Sequence, residues 1–100
     1  MIKELPVSIV VTSIGEDILL KNLKNLTSQY PKINEILVII PEEFKKSEFI
    51  DFDNVKYYFT KFKGQVIQRI YGFKKAKNNY VLQLDCDCLI SNLDIEKMYS

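Results

Sequence analysis

Apolar residues along this chain fall in short dense blocks, and most polar positions fall between them. Val7-Ser8-Ile9-Val10-Val11 follows Pro6 and is rich in β-branched residues, the signature of a strand buried on both faces. Ser13-Ile14-Gly15-Glu16 then fits a capping box, with the Ser13 hydroxyl accepting from the Glu16 amide. The helix it opens carries Leu19, Leu20, Leu23 and Leu26 on one stripe, with Lys21, Lys24 and Asn25 outward. Tyr30-Pro31 stops it. Glu35-Ile36-Leu37-Val38-Ile39-Ile40 is a second buried strand, ended by Pro41. Between Glu42 and Asp53, the residues Phe44, Phe49, Ile50 and Phe52 fit a short helix or a packed loop. Val55-Lys56-Tyr57-Tyr58-Phe59 reads as a third, edge-like strand, its aromatics serving packing rather than base stacking. Gly64 opens a second helix whose apolar stripe is Val66, Ile70 and Phe73, widened by Ile67 and Tyr71. Asn78-Asn79 supplies left-handed geometry to end it. Tyr80-Val81-Leu82-Gln83-Leu84 is a fourth strand running into Asp85-Cys86-Asp87-Cys88, and the tail from Ser91 to Ser100 begins a further helix.

Strands alternating with helices imply an α/β fold, a mostly parallel Rossmann-like sheet with helices on both faces. The expected strand order is 3-2-1-4, in which the chain doubles back between the first and fourth strands. At that switch point the loops beyond the carboxyl ends diverge and leave a crevice. Topology therefore brings the loop from Thr12 to Gly15 beside the loop from Asp85 to Cys88, although they lie far apart in sequence.

Composition narrows the function classes. One hundred residues, 47% hydrophobic and 12% aromatic, make a single globular domain. A net charge of +1 argues against a nucleic-acid partner, and Lys74, Lys75 and Lys77 suit a helix C-terminus. Apolar runs fall short of a transmembrane segment, and the opening Met1-Ile2-Lys3-Glu4-Leu5-Pro6 has an early acid and a proline instead of a signal peptide's apolar stretch. A cytoplasmic location is expected. Histidine is absent, which removes the usual general base and most hydrolase triads. Cys86 and Cys88, the two cysteines, stand too close for a stapling disulfide and too few for zinc. Gly15 alone after the first strand does not make a dinucleotide fingerprint, and no P-loop spacing occurs.

What the crevice does offer suits a nucleotide diphosphate. The first loop ends at a helix N-terminus, where free amides and the helix dipole favour negative charge. The second carries Asp85 and Asp87 at i and i+2, which extended backbone turns to the same side. Bare carboxylates would repel a diphosphate, so the pair makes sense around a divalent metal, magnesium or manganese, that takes further ligands from phosphate oxygens.

Several segments resemble one known family. They are Val7-Ser8-Ile9-Val10-Val11-Thr12, then Leu23-Lys24-Asn25-Leu26-Thr27-Ser28-Gln29, Lys63-Gly64-Gln65, Gln68-Arg69, Gly72, Ala76, and Tyr80 through Asp87. The pattern resembles the N-terminal, nucleotide-sugar-binding half of a family 2 glycosyltransferase with the GT-A fold. It covers nearly the whole chain, and its most specific block runs from Gly64 to Asp87. The resemblance implies a nucleotide-sugar donor, most simply a UDP-sugar, held at Asp-x-Asp. Asp85 would contact the ribose or base side and also serve the metal, which Asp87 ligates, and Cys86 between them would belong to the nucleotide-sugar-binding set. Thr12 and Ser13 would flank the nucleoside, and Gln65 and Arg69 would face the donor.

Two departures follow. The family places an acid after the second strand, where this chain reads Ile40-Pro41-Glu42-Glu43, so Glu42 is the candidate for the nucleobase. The family's acceptor-binding half and catalytic base follow the Asp-x-Asp, so residues 1–100 are expected to be a donor-binding domain truncated before them. The catalytic residues and the acceptor are unassigned. Three alternatives stay open at this point. One is a non-catalytic module of the same fold, or a homo-oligomer, pairing through the fourth-strand edge. Another is a nucleotidyltransferase-like domain, and in the third Arg69 is a salt-bridge partner rather than a ligand contact.

Overall fold

In the computed structural model, β1 (Glu4–Thr12) lies between β2 (Lys32–Pro41) and β4 (Tyr80–Asp85), and β3 (Val55–Thr60) pairs with the far side of β2. The structure describes residues 4–14, 17–28, 32–44, 52–62 and 64–85, with Asn92, Ile95 and Lys97 beyond them; the side chains of Asp17, Gln65 and Asp85 stand outside that description. Every pairing is parallel, and the order is β3-β2-β1-β4, as the strand–helix alternation predicts. Helix α1 (Asp17–Ser28) connects β1 to β2, and α2 (Gln65–Lys75) connects β3 to β4. A single 3₁₀ turn, Glu42–Phe44, follows β2.

Parallel strands covered on both faces need apolar side chains at nearly every position. On one face Val7, Ile9 and Val11 meet Ile36, Val38 and Ile40, and Leu19, Leu23 and Leu26 of α1 cover them. Each such side chain contributes roughly 1.5–3 kcal/mol by leaving water. Ile95 is buried in the same cluster, and Asn92 donates from Nδ2 to the Leu26 carbonyl at 3.0 Å. On the other face Val10, Leu37 and Ile39 form a smaller cluster with Tyr58, Tyr71, Ala76 and Val81. Helix α1 is described from Asp17 and Ile14 is a bend; Gly15 and Glu16, on which a capping box at Ser13 depends, lie outside the described residues.

Helix α2 sits the other way round from the expectation. Its presumed core stripe faces outward, with Val66 66%, Ile70 49% and Phe73 46% exposed. The face laid on the sheet carries Gln68 and Gly72 instead. Glycine decides this: a Cβ at position 72 would stand 2.4 Å from Val10 Cγ1 and 3.2 Å from Ile39 Cγ1, so only a bare Cα lets the helix come so close. Gly64 sits at the N-cap with φ 139°, a backbone region that favours glycine.

The helix end also differs from the asparagine-based expectation. No non-glycine residue among those described has positive φ, and Ala76 leaves the helix in extended geometry, its N–H donating to the Gly72 carbonyl. Asn78 is used elsewhere, donating from Nδ2 to Ser8 Oγ at 3.0 Å and to Asn34 Oδ1 at 2.8 Å. Beneath it lies Glu35, only 1% exposed. Its Oε1 accepts from Ser8 Oγ at 2.8 Å and from the Lys77 N–H at 3.0 Å, while Lys56 Nζ stands 3.6 Å from Oε2. A buried carboxylate is tolerable only with such donors. The network therefore fixes the α2–β4 connection to the amino end of the sheet.

Candidate functional site at the carboxyl end of the sheet

Strand register builds this end of the molecule. Thr12 closes β1 with Ile39 as its Cα partner on one side and Asp85 on the other. One residue later the Ser13 N–H donates to the Ile39 carbonyl at 3.1 Å, keeping the chain on β2 before it departs for α1. From above, buried Gln68 of α2 donates from Nε2 to the Ser13 carbonyl at 3.1 Å and to the Ile39 carbonyl at 2.8 Å. One amide thus pins the loop after β1, the end of β2 and the first half of α2 together. Thr12 is 5% exposed, and among the described residues its Oγ1 has no hydrogen-bond partner. Leaving a buried hydroxyl unsatisfied costs about 1–3 kcal/mol, and native structures seldom accept that without a reason.

Thr12 and Ser13 are buried at the end of β1, and the Asp85 backbone is in register beside Thr12. Arg69 is half-buried on α2, next to the Gln68 clamp. Gln65 is the first residue of the same helix, and its side chain lies outside the described residues. So do the Asp85 side chain, Cys86 and Asp87. Glu42 is exposed and stands one strand over, in an open cleft of about 460 Å³ with Pro41, Glu43, Thr60, Lys61 and Phe62. Thr60 Oγ1 donates to the Phe62 carbonyl at 2.8 Å and shapes the far wall of that cleft. Glu42 therefore borders a neighbouring depression of the same sheet end. Among the described residues no group of three or more metal-ligating side chains occurs.

The electrostatic setting at α2 is suited to an anion. No acid occupies the first turn of α2, and a helix N-terminus carries the positive end of its dipole. Sequence reasoning assigned no role to Gln68, the residue that holds this end together. The available signal was its spacing, since an amide four residues before Gly72 shares that residue's helix face. Glu35 was likewise read only as the start of an apolar strand.

Comparison with known proteins bears on the same elements. The family model described as glycosyl transferase family 2 matches residues 8–100, from within β1 through Asp85 and beyond. No curated protein and no solved structure matches the chain.

Proposed function

Because this chain belongs to glycosyl transferase family 2, we propose that the carboxyl end of its sheet binds a nucleotide-diphospho-sugar, with a UDP-sugar as the donor and a divalent magnesium or manganese ion at Asp85-Cys86-Asp87. Family membership implies a sugar donor and an acceptor in general terms; the base, the metal and the residue roles are our reading. Thr12 and Ser13 flank the nucleoside, Glu42 faces the base from the neighbouring cleft, and Gln65 and Arg69 face the donor. A guanidinium is well matched to a phosphate because it offers two parallel hydrogen bonds. Residues 1–100 act in this reading as one donor-binding domain.

The observation that carries the proposal is the buried Thr12 hydroxyl, without a partner among the described residues and in register with Asp85. An uncommitted polar atom at a topological switch point is where such folds hold ligands. The donor set fits a hard cation, since carboxylates at i and i+2 leave room for phosphate oxygens. When bound, the cation would stabilise charge on the departing diphosphate. Transfer itself breaks the bond between the anomeric carbon and the diphosphate oxygen and forms one to an acceptor oxygen, whose proton passes to a base.

Thermal denaturation tests the reading. UDP with manganese is expected to raise the melting temperature, and either alone to raise it less. Thr12→Val should keep the fold, because the hydroxyl it removes has no partner among the described residues, yet shrink the joint shift. Absence of a joint shift in the wild-type chain would remove the proposal. A larger response to nucleoside triphosphates than to sugar nucleotides would point to nucleotidyl transfer instead.

A further inference from the structure

Helix α2 meets the sheet without the interdigitating apolar ridge that usually fixes a packed helix. Val66, Ile67, Ile70 and Phe73 are exposed, and at mid-helix Gly72 lays a smooth surface over Val10 and Ile39, with Tyr71 packed beside it. A smooth contact holds the helix close but resists sliding and swivelling weakly. Polar ties at the two ends supply that resistance. At the carboxyl end of the sheet Gln68 Nε2 bridges the Ser13 and Ile39 carbonyls. At the amino end the chain leaves α2 through Ala76, and the Lys77 N–H reaches Glu35 Oε1 at 3.0 Å. Asn78 completes this second tie. Its backbone N–H donates to Ser8 Oγ at 3.3 Å, and its Nδ2 donates to the same oxygen at 3.0 Å and to Asn34 Oδ1 at 2.8 Å.

One tie lets a rod pivot, whereas a tie at each end fixes its line. Arg69 stands on α2 between the two, and about 9 Å of helix carries it from Lys75. Its place over the carboxyl end of the sheet therefore depends on both anchors. A guanidinium that must meet a phosphate through two parallel hydrogen bonds tolerates little displacement, and a shift of about 1 Å is enough to spoil such a pairing. We propose that Asn78 is a remote positioning residue for the donor site. Through Ser8, Asn34 and the buried Glu35 network it anchors the far end of α2, and so sets where Arg69 stands. The inference rests on the donor reading above, in which Arg69 faces the donor, and adds a determinant at the opposite end of the sheet.

Calorimetric titration of UDP with manganese into the wild type, Asn78→Ala, Arg69→Ala and the double variant tests it, beside urea unfolding of each. Asn78→Ala should stay folded by far-UV circular dichroism yet bind about threefold or more weakly. In the Arg69→Ala background the same change should alter affinity less than about twofold, because the group it positions is gone. Asn54→Ala is the control. It removes a comparable tie, from Asn54 Nδ2 to the Ile33 carbonyl at 2.7 Å, where β3 begins. It should lower the urea midpoint and leave affinity unchanged. Should Asn78→Ala fail to fold, Asn34→Ala loosens the same tie more gently and should show a smaller loss with the same dependence on Arg69. Unchanged affinity in the folded variants, an equal loss in Asn54→Ala, or an equal loss with and without Arg69 overturns the proposal and leaves the donor reading standing. A wild type that does not bind UDP removes both.

Discussion

Gly72→Ala adds one methyl group to the face of α2 that lies on the sheet, and two opposing terms set its effect. In an exposed helix interior the change stabilises by about 1 kcal/mol. Here the new Cβ would stand 2.4 Å from Val10 Cγ1, against an ordinary carbon–carbon contact of about 3.5–4.0 Å. Val10 is fully buried, lies mid-strand between β2 and β4, and has a stiff β-branched side chain that swings aside only at a cost. Either α2 lifts or Val10 leaves its rotamer, at about 1–3 kcal/mol. Subtracting the propensity gain leaves a net destabilisation of about 1 kcal/mol, with about 2 at the upper end. Val10→Ala removes the valine atoms at 2.4 and 3.2 Å, so in that background Gly72→Ala should become neutral or stabilising. Urea unfolding of the four proteins, followed by circular dichroism, measures the coupling, expected at about 1–3 kcal/mol. If Gly72→Ala stabilises the wild-type chain, or has the same effect in both backgrounds, α2 is not seated through this contact.

Two further predictions use the same unfolding assay. Glu35→Leu should destabilise by about 2–3 kcal/mol, because Ser8 Oγ and the Lys77 N–H lose a buried charged acceptor, and Glu35→Gln by roughly half of that. Lys56→Ala should cost at most about 1 kcal/mol, because Lys56 is 56% exposed; a loss as large as that of Glu35→Leu would contradict this account of the network. Gln68→Leu deprives the Ser13 carbonyl of its buried amide donor and should cost about 1–3 kcal/mol. It should also weaken nucleotide binding by loosening the loop after β1, and retention of full affinity would show that Gln68 does not position that loop.

The strand order was legible because each strand announced itself as an apolar run and the spacing favoured parallel units. Placement of Thr12 beside Asp85 followed from that order without any side-chain information. Helix α2 was not legible in the same way. Its sequence offers two seatable faces, a ridge of Val66, Ile70 and Phe73 and a flat strip of Gln68 and Gly72. Periodicity counts apolar side chains and so prefers the ridge, whereas the close approach over Val10 and Ile39 is visible only in three dimensions. Asn78 was misread for a related reason. An asparagine after a helix suggests left-handed backbone, but its partners Ser8 and Asn34 lie 70 and 44 residues away. Of the site, the backbone scaffold was legible, while the side chains of Asp85, Cys86 and Asp87 lie outside the described residues.

Calorimetric titration of UDP into the chain with manganese present, for the wild type and for Asp87→Asn, addresses the nucleotide reading most directly. Saturable binding that needs the metal and weakens at least about tenfold in the variant, about 1.4 kcal/mol, is the predicted result. Equal affinity in both proteins, or binding indifferent to manganese, would contradict it.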